Sequence, residues 1–110
     1  EVDKAVNVKT GKEVWRDTQA GKPGYAGGML TTAGNLVVYT TQGGRFTVAD
    51  ARSGERLFEL DTGIAAKSGP ITFTHKGKQM IVQPLGGTPG FGRDEAHGLE
   101  FGHAIIAFTR

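Results

Sequence analysis

The chain has 110 residues and a mass of 11.6 kDa, the size of one ordinary domain and too small for two separate cores. Glycine supplies 18 residues, roughly twice the usual ~7%, while aromatic residues are 8% and charged residues 22%, the profile of a turn-rich β protein. Thirteen basic and eleven acidic side chains leave a net charge of +2 with no basic block, which argues against a nucleic-acid partner, and the absence of cysteine excludes disulfides, thiolate metal sites and cysteine nucleophiles.

From the N-terminus, Glu1-Val2-Asp3-Lys4 has neither a signal-peptide layout nor an initiator Met and is expected to be an internal or processed start. Residues 1–17 predict a strand, a tight turn from Asn7 to Gly11 and a returning strand that carries Trp15. The segment Ala5-Val6-Asn7-Val8-Lys9-Thr10-Gly11-Lys12-Glu13-Val14-Trp15 recurs as Val48-Ala49-Asp50-Ala51-Arg52-Ser53-Gly54-Glu55-Arg56-Leu57-Phe58, an offset of 43 residues. In both turns an Asn or Asp and a Thr or Ser can accept backbone hydrogens, while glycine takes a positive φ without steric cost. The same offset carries Thr31 onto Thr74, Gly34-Asn35 onto Gly77-Lys78, Val37-Val38-Tyr39 onto Met80-Ile81-Val82 and Gly43-Gly44 onto Gly86-Gly87.

Between these landmarks the pattern predicts strands over 29–32, 36–41, 45–49 and 55–60, then over 69–74, 79–83 and 105–108, with a long loop over 86–103. The longest apolar runs, 36–39 and 104–108, fall far short of the ~20 residues that cross a bilayer, so no transmembrane segment is expected here. A period near 43 built from short strands and glycine turns is the signature of a β-propeller blade, and helical apolar spacing is missing. The fold class is therefore all-β, with blades of four antiparallel strands: 1–17 ends one blade, 27–60 is a full blade, and 69–110 is a last blade with an inserted loop. An arc of about two blades plus part of a third leaves apolar faces and sheet edges open. It calls for the remainder of a propeller, in the same chain, in a nicked partner piece, or in copies of itself.

The pattern Ala-x-Asp-x-x-x-Gly-Lys-x-x-Trp, present here as Ala5, Asn7, Gly11, Lys12 and Trp15, resembles the tryptophan-docking motif of the pyrroloquinoline quinone (PQQ) dependent dehydrogenases. Gly27-Gly28-Met29-Leu30-Thr31-Thr32-Ala33-Gly34-Asn35-Leu36-Val37, and Gly69-Pro70-Ile71-Thr72-Phe73 followed by His75-Lys76-Gly77-Lys78-Gln79, are similar to the C-terminal blades of the alcohol, methanol and glucose dehydrogenases of that family. The resemblance implies an eight-bladed periplasmic propeller that oxidises an alcohol or sugar by hydride transfer to PQQ. It implies a calcium or lanthanide ion on the quinone and electrons passed to cytochrome c or ubiquinone. It places the metal ligands and catalytic Asp in earlier blades, so this segment is expected to hold no catalytic residue and to be inactive alone. It also places a Gly-Gly-Trp stretch near the cofactor; here Gly86, Gly87 and Thr88 stand in that place, Thr replacing Trp. Arg93 is the remaining cofactor-binding candidate, a bidentate fork for a PQQ carboxylate, against a surface salt bridge with Asp94 or Glu95.

Other residues carry plainer expectations. Trp15 and Phe58 are expected to pack between blades. His97, His103, Glu95 and Glu100 in the long loop lack zinc-type spacing and are assigned no metal. His75 is expected to be exposed and without a catalytic role, and no glycine pair opens a nucleotide-binding helix. The alternative reading is a non-catalytic propeller scaffold that binds peptides or proteins.

Overall fold

The structure, a computed structural model, describes residues 2–18, 28–41, 44–64, 66, 68–86 and 103–109. Among these it contains nine strands and no helix: β1 (Val2–Val6), β2 (Glu13–Thr18), β3 (Met29–Thr31), β4 (Leu36–Thr40), β5 (Arg45–Asp50), β6 (Arg56–Asp61), β7 (Ile71–His75), β8 (Lys78–Gly86) and β9 (His103–Thr109). They form three antiparallel sheets, β1-β2, β3-β4-β5-β6 and β7-β8-β9, each a simple meander in chain order.

The β1-β2 and β5-β6 hairpins are built alike. Asn7 Oδ1 accepts the Lys9 and Thr10 amides at 2.9 and 3.3 Å, and Asp50 Oδ1 accepts those of Arg52 and Ser53 at 2.8 and 3.0 Å. Gly11 and Gly54 close the two turns at φ +71° and +76°, the left-handed region that costs an L side chain about 1–2 kcal/mol. Each hairpin also carries a register shift at the same repeat position, Ala5/Val6 and Val48/Ala49.

Burial concentrates on the central strands of the four-stranded sheet. Val37, Tyr39 and Ala49 form a core on the face toward β1-β2, with Trp15 and Ala51 packed against it. Phe46 and Thr47 are fully buried on opposite faces of β5. Away from the sheet interfaces apolar side chains stay exposed, among them Leu57, Ile71, Phe73 and Ile105.

The third sheet departs from the 43-residue register in one respect. The set facing the second sheet is Gln79, Ile81 and Gln83, not Met80 and Val82 as the offset from Val37 and Tyr39 predicts. The cause is turn length. Thr32 and Leu36 flank a three-residue loop with Asn35 at φ +66°, whereas His75 and Lys78 flank a two-residue loop with Lys76 and Gly77 at +50° and +76°. One residue fewer in the turn moves β8 to the other face phase while β7 keeps its own.

Candidate functional site

Trp15 reaches from β2 across to the next sheet. Its Nε1 donates to the Ala51 carbonyl at 2.8 Å, and its ring lies over Gly54, where an added Cβ would stand 2.7 Å from Cδ2. Phe58, its repeat counterpart, meets Phe46 edge-on at 6.3 Å and Phe108 of the third sheet at 6.1 Å, while Phe46 and Phe108 stack at 4.1 Å. Both rings thus pack between sheets. Beside the phenylalanines lies an apolar cleft of about 270 Å³, bounded by Leu36, Val48, Gln79 and Ile81.

A polar cluster joins the first two sheets. The Tyr39 hydroxyl donates to Asp17, and Arg56 grips both carboxylate oxygens of Asp17 in a bidentate pair, while its Nη1 reaches Glu59 at 2.8 Å. Burial, then the bond to Asp17, pushes the Tyr39 hydroxyl well above its ordinary value of 10. The bond to Asp17 raises Arg56 in turn. A phenol held neutral and a guanidinium held charged cannot exchange protons near neutral pH, so this cluster is a clamp and not an acid–base pair.

The end of the sheets where β4 and β8 finish and β3 and β7 begin has a different character. Gly28 and Gly69, each just before an inner strand, approach so closely that a Cβ on either would lie 3.1 Å from the other's Cα. Beneath them Gln83, 1% exposed, accepts a hydrogen bond from Thr40 Oγ1 at 3.0 Å. Its Nε2 donates to the Ser68 carbonyl at 3.0 Å and the Pro84 carbonyl at 2.7 Å. Gly86 ends β8 at this same edge, paired with His103 of β9.

Of the candidate cofactor contacts, Gly86 is therefore at the glycine-bearing end of the third sheet, whereas Gly87, Thr88 and Arg93 lie outside the described residues, as do Glu95, His97 and Glu100. His75 is exposed at the opposite, turn-bearing end, beside Lys78. Among the described residues no group of three His, Asp or Glu side chains could hold a metal ion. Asp17, Tyr39, Arg56 and Gln83 are not singled out by the sequence pattern; only Gln83, a polar residue within the apolar run of β8, carries a local signal.

Comparison with known proteins agrees with this architecture. The family model for the glucose/ethanol/alcohol dehydrogenase β-propeller domain (PQQ) matches residues 3–81. The chain is 40% identical over 89 residues to a quinoprotein ethanol dehydrogenase of Pseudomonas aeruginosa, covering 81% of this chain and 13% of that protein. It is 36% identical over 91 residues to methanol dehydrogenase (cytochrome c) subunit 1 of Methylobacterium organophilum, covering 81% and 14%. The crystal structure of quinohemoprotein alcohol dehydrogenase from Comamonas testosteroni superposes with a TM-score of 0.84 at 28% identity, over 98% of this chain and 16% of that one. A europium-containing methanol dehydrogenase shares the fold, with a TM-score of 0.81 at 22% identity, over 96% and 22%. The chain thus spans about one seventh of the length of the relatives it matches. With the paired docking turns, the inter-sheet Trp15 and the match over residues 3–81, the chain belongs to the PQQ-dependent alcohol dehydrogenase β-propeller family.

Proposed function

We propose that this chain is the C-terminal segment of a PQQ-dependent dehydrogenase that oxidises an alcohol or sugar in the periplasm and passes electrons to cytochrome c or ubiquinone. The observation that carries the reading is the identity of 36–40% with quinoprotein ethanol and methanol dehydrogenases over four-fifths of the chain. When bound, PQQ accepts the hydride equivalent and a calcium or lanthanide ion polarises its carbonyl. The part this chain plays is architectural: the Trp15 and Phe58 contacts hold successive blades in place, and Gly86 at the end of β8 is the candidate backbone contact for the flat ligand. The exposed faces of β6 and β7 are surfaces for the remainder of the propeller. Metal ligands and the catalytic base belong to that remainder.

The test is to express the longer polypeptide that carries this segment and load it with PQQ and either Ca²⁺ or a lanthanide. Reduction of an artificial dye is then followed with short alcohols and glucose. Substrate-dependent reduction that requires PQQ and one of the ions is expected. A protein that neither binds PQQ nor reduces dye under either loading is the scaffold instead.

A further inference from the structure

The turns that join β1 to β2, β3 to β4, β5 to β6 and β7 to β8 emerge at one end of the molecule. The Ala51 amide donates to the Asn35 carbonyl at 2.9 Å, joining the loop over 33–35 to the turn over 50–55, and the Trp15 ring laid over Gly54 brings the first hairpin alongside. Leu36 and Gln79, each next to its own turn, line the same cleft, which sets the turn between His75 and Lys78 beside the others. The sequence has no basic block, yet the fold assembles one. Lys9, Lys12, Arg52, Lys76 and Lys78 all stand exposed at this end, on hairpins that belong to three different sheets.

These five cations meet little opposing charge. Asp50 turns its carboxylate back onto the Arg52 and Ser53 amides, Glu13 is matched by Arg16 at 2.7 Å, and Glu55 is the one further acid of these turns. Among the described residues none of the five has an ion-pair partner, whereas Arg16 and Arg56 on the outer strands are both paired. Away from the turns the described acids outnumber the bases, so the positive surplus belongs to this end alone.

Apolar side chains accompany the charges. Val8, in the first turn, is 96% exposed. Val14 and Leu57, 57% and 54% exposed, are the extra residues of the two β-bulges, at equivalent positions of the repeat. Each stands three residues past its turn glycine, within about 10 Å of the tip. Single exposed apolar residues are ordinary on a protein surface, but here they gather beside unpaired lysines.

We propose that the turn-bearing end is a membrane-contact surface that rests on the anionic headgroups of a phospholipid bilayer. Four of the five cations are lysines, flexible point charges suited to a fluid layer of phosphates, and not arginine forks cut for one fixed carboxylate. Lysine stems snorkel while the apolar tips enter the boundary between headgroups and acyl chains. An acidic protein would match the charge but gives no reason for Val8, Val14 and Leu57. The surface lies at the end opposite Gly86, so the inference stands apart from the cofactor reading.

The test uses the full-length polypeptide carrying this segment, sedimented with vesicles of phosphatidylcholine alone or of equal parts phosphatidylcholine and phosphatidylglycerol. Binding to the anionic vesicles only is expected, and it weakens as salt is raised. Lys9→Gln with Lys12→Gln, and Lys76→Gln with Lys78→Gln on a separate hairpin, should each weaken partition by about tenfold or more, since one lysine near such a surface contributes about fivefold. Arg45→Gln makes the same charge change at the opposite end, where it faces Asp61 across the ladder, and should bind like the wild type. Val8→Ser should weaken binding and keep its salt dependence, the mark of an apolar contact beside the charges. Every substituted side chain is exposed, so the variants are expected to melt like the wild type. A wild type that ignores anionic vesicles overturns the membrane surface, and if it instead binds poly-glutamate through the same lysines the surface belongs to an acidic protein. Lysine variants that bind like the wild type, or an R45Q that loses as much as they do, also overturn it, because binding then lies elsewhere or follows net charge alone. PQQ loading and dye reduction are read separately, so either failure leaves the dehydrogenase reading standing.

Discussion

Gly54→Ala and Gly11→Ala make a matched pair that isolates the contact between the first two sheets. Both glycines sit at the same turn position with nearly the same backbone, φ +76° and +71°, so each substitution incurs a left-handed strain of about 1–2 kcal/mol. Around Gly11 nothing lies within 4 Å, and that strain is the whole effect. At Gly54 the new methyl would stand 2.7 to 2.9 Å from three carbons of the Trp15 indole, which must tilt or slide away. Overpacking of this kind costs about 1–3 kcal/mol, and a displaced indole also strains its 2.8 Å bond to the Ala51 carbonyl, for about 1 kcal/mol more. G54A is therefore expected to be less stable than G11A by about 2–4 kcal/mol. Urea unfolding of the polypeptide that carries this segment measures the difference. Hydrogen exchange on a peptide spanning residues 50–58 shows whether the loss is local to the turn. Equal stabilities within about 0.5 kcal/mol would refute the argument, because the crowded indole is what sets the Gly54 site apart from Gly11 for an added methyl.

Three further outcomes are expected. Thr47 is fully buried and its hydroxyl has no hydrogen-bond partner, so Thr47→Val should raise stability by about 1 kcal/mol; a loss would mean that the hydroxyl is bonded in solution. Asp17→Asn should cost about 2–3 kcal/mol, less than a fully buried pair because the Arg56 side chain keeps 33% exposure, and a double-mutant cycle with Arg56→Met should return a favourable coupling. The Ser53 amide, then that of Arg52, hold the Asp50 carboxyl below its ordinary value of 3.8. A depressed folded value contributes stability that is present above 3.8 and is lost as pH falls through the folded value. Asp50→Asn should keep the turn, as Asn7 does in the preceding hairpin, and its unfolding midpoint should fall less than that of the wild type as pH drops below about 4; parallel acid limbs would show that Asp50 contributes nothing.

How far the sequence could be read follows the range of the interactions involved. The Asn7 and Asp50 turns were legible because their bonds join residues two or three apart, and the side chains that make them are visible as a local string. Trp15 and Phe58 were legible as inter-blade rings because the repeat marks them as equivalent positions on outer strands. The clamp of Asp17, Tyr39 and Arg56 was not: its members are 22 and 39 residues apart, and Asp17 has Leu60 as its counterpart one repeat later, so periodicity points away from it. The cofactor-side role expected of Gly86 comes from family resemblance alone, since nothing in a glycine pair says which sheet end it will join.

The missed phase of β8 and the missed role of Gln83 have one physical cause. Residue offset is preserved through an insertion-free repeat, but which face a strand presents depends on the parity of the turn before it, and the two-residue Lys76-Gly77 turn is one residue shorter than the loop over 33–35. With the longer turn, Met80 and Val82 would meet the second sheet and Gln83 would point away from it, leaving Thr40 without its amide. The shorter turn instead directs Gln79, Ile81 and Gln83 inward, and a polar residue lands in a dry interface where only a fully bonded one is tolerated. An added residue that shifts β8 by one position is thus expected to disturb the join between the second and third sheets far more than the exposed position of the turn suggests, and a shift of β2 from an insertion beside Gly11 would likewise turn Trp15 and Asp17 away from the second sheet.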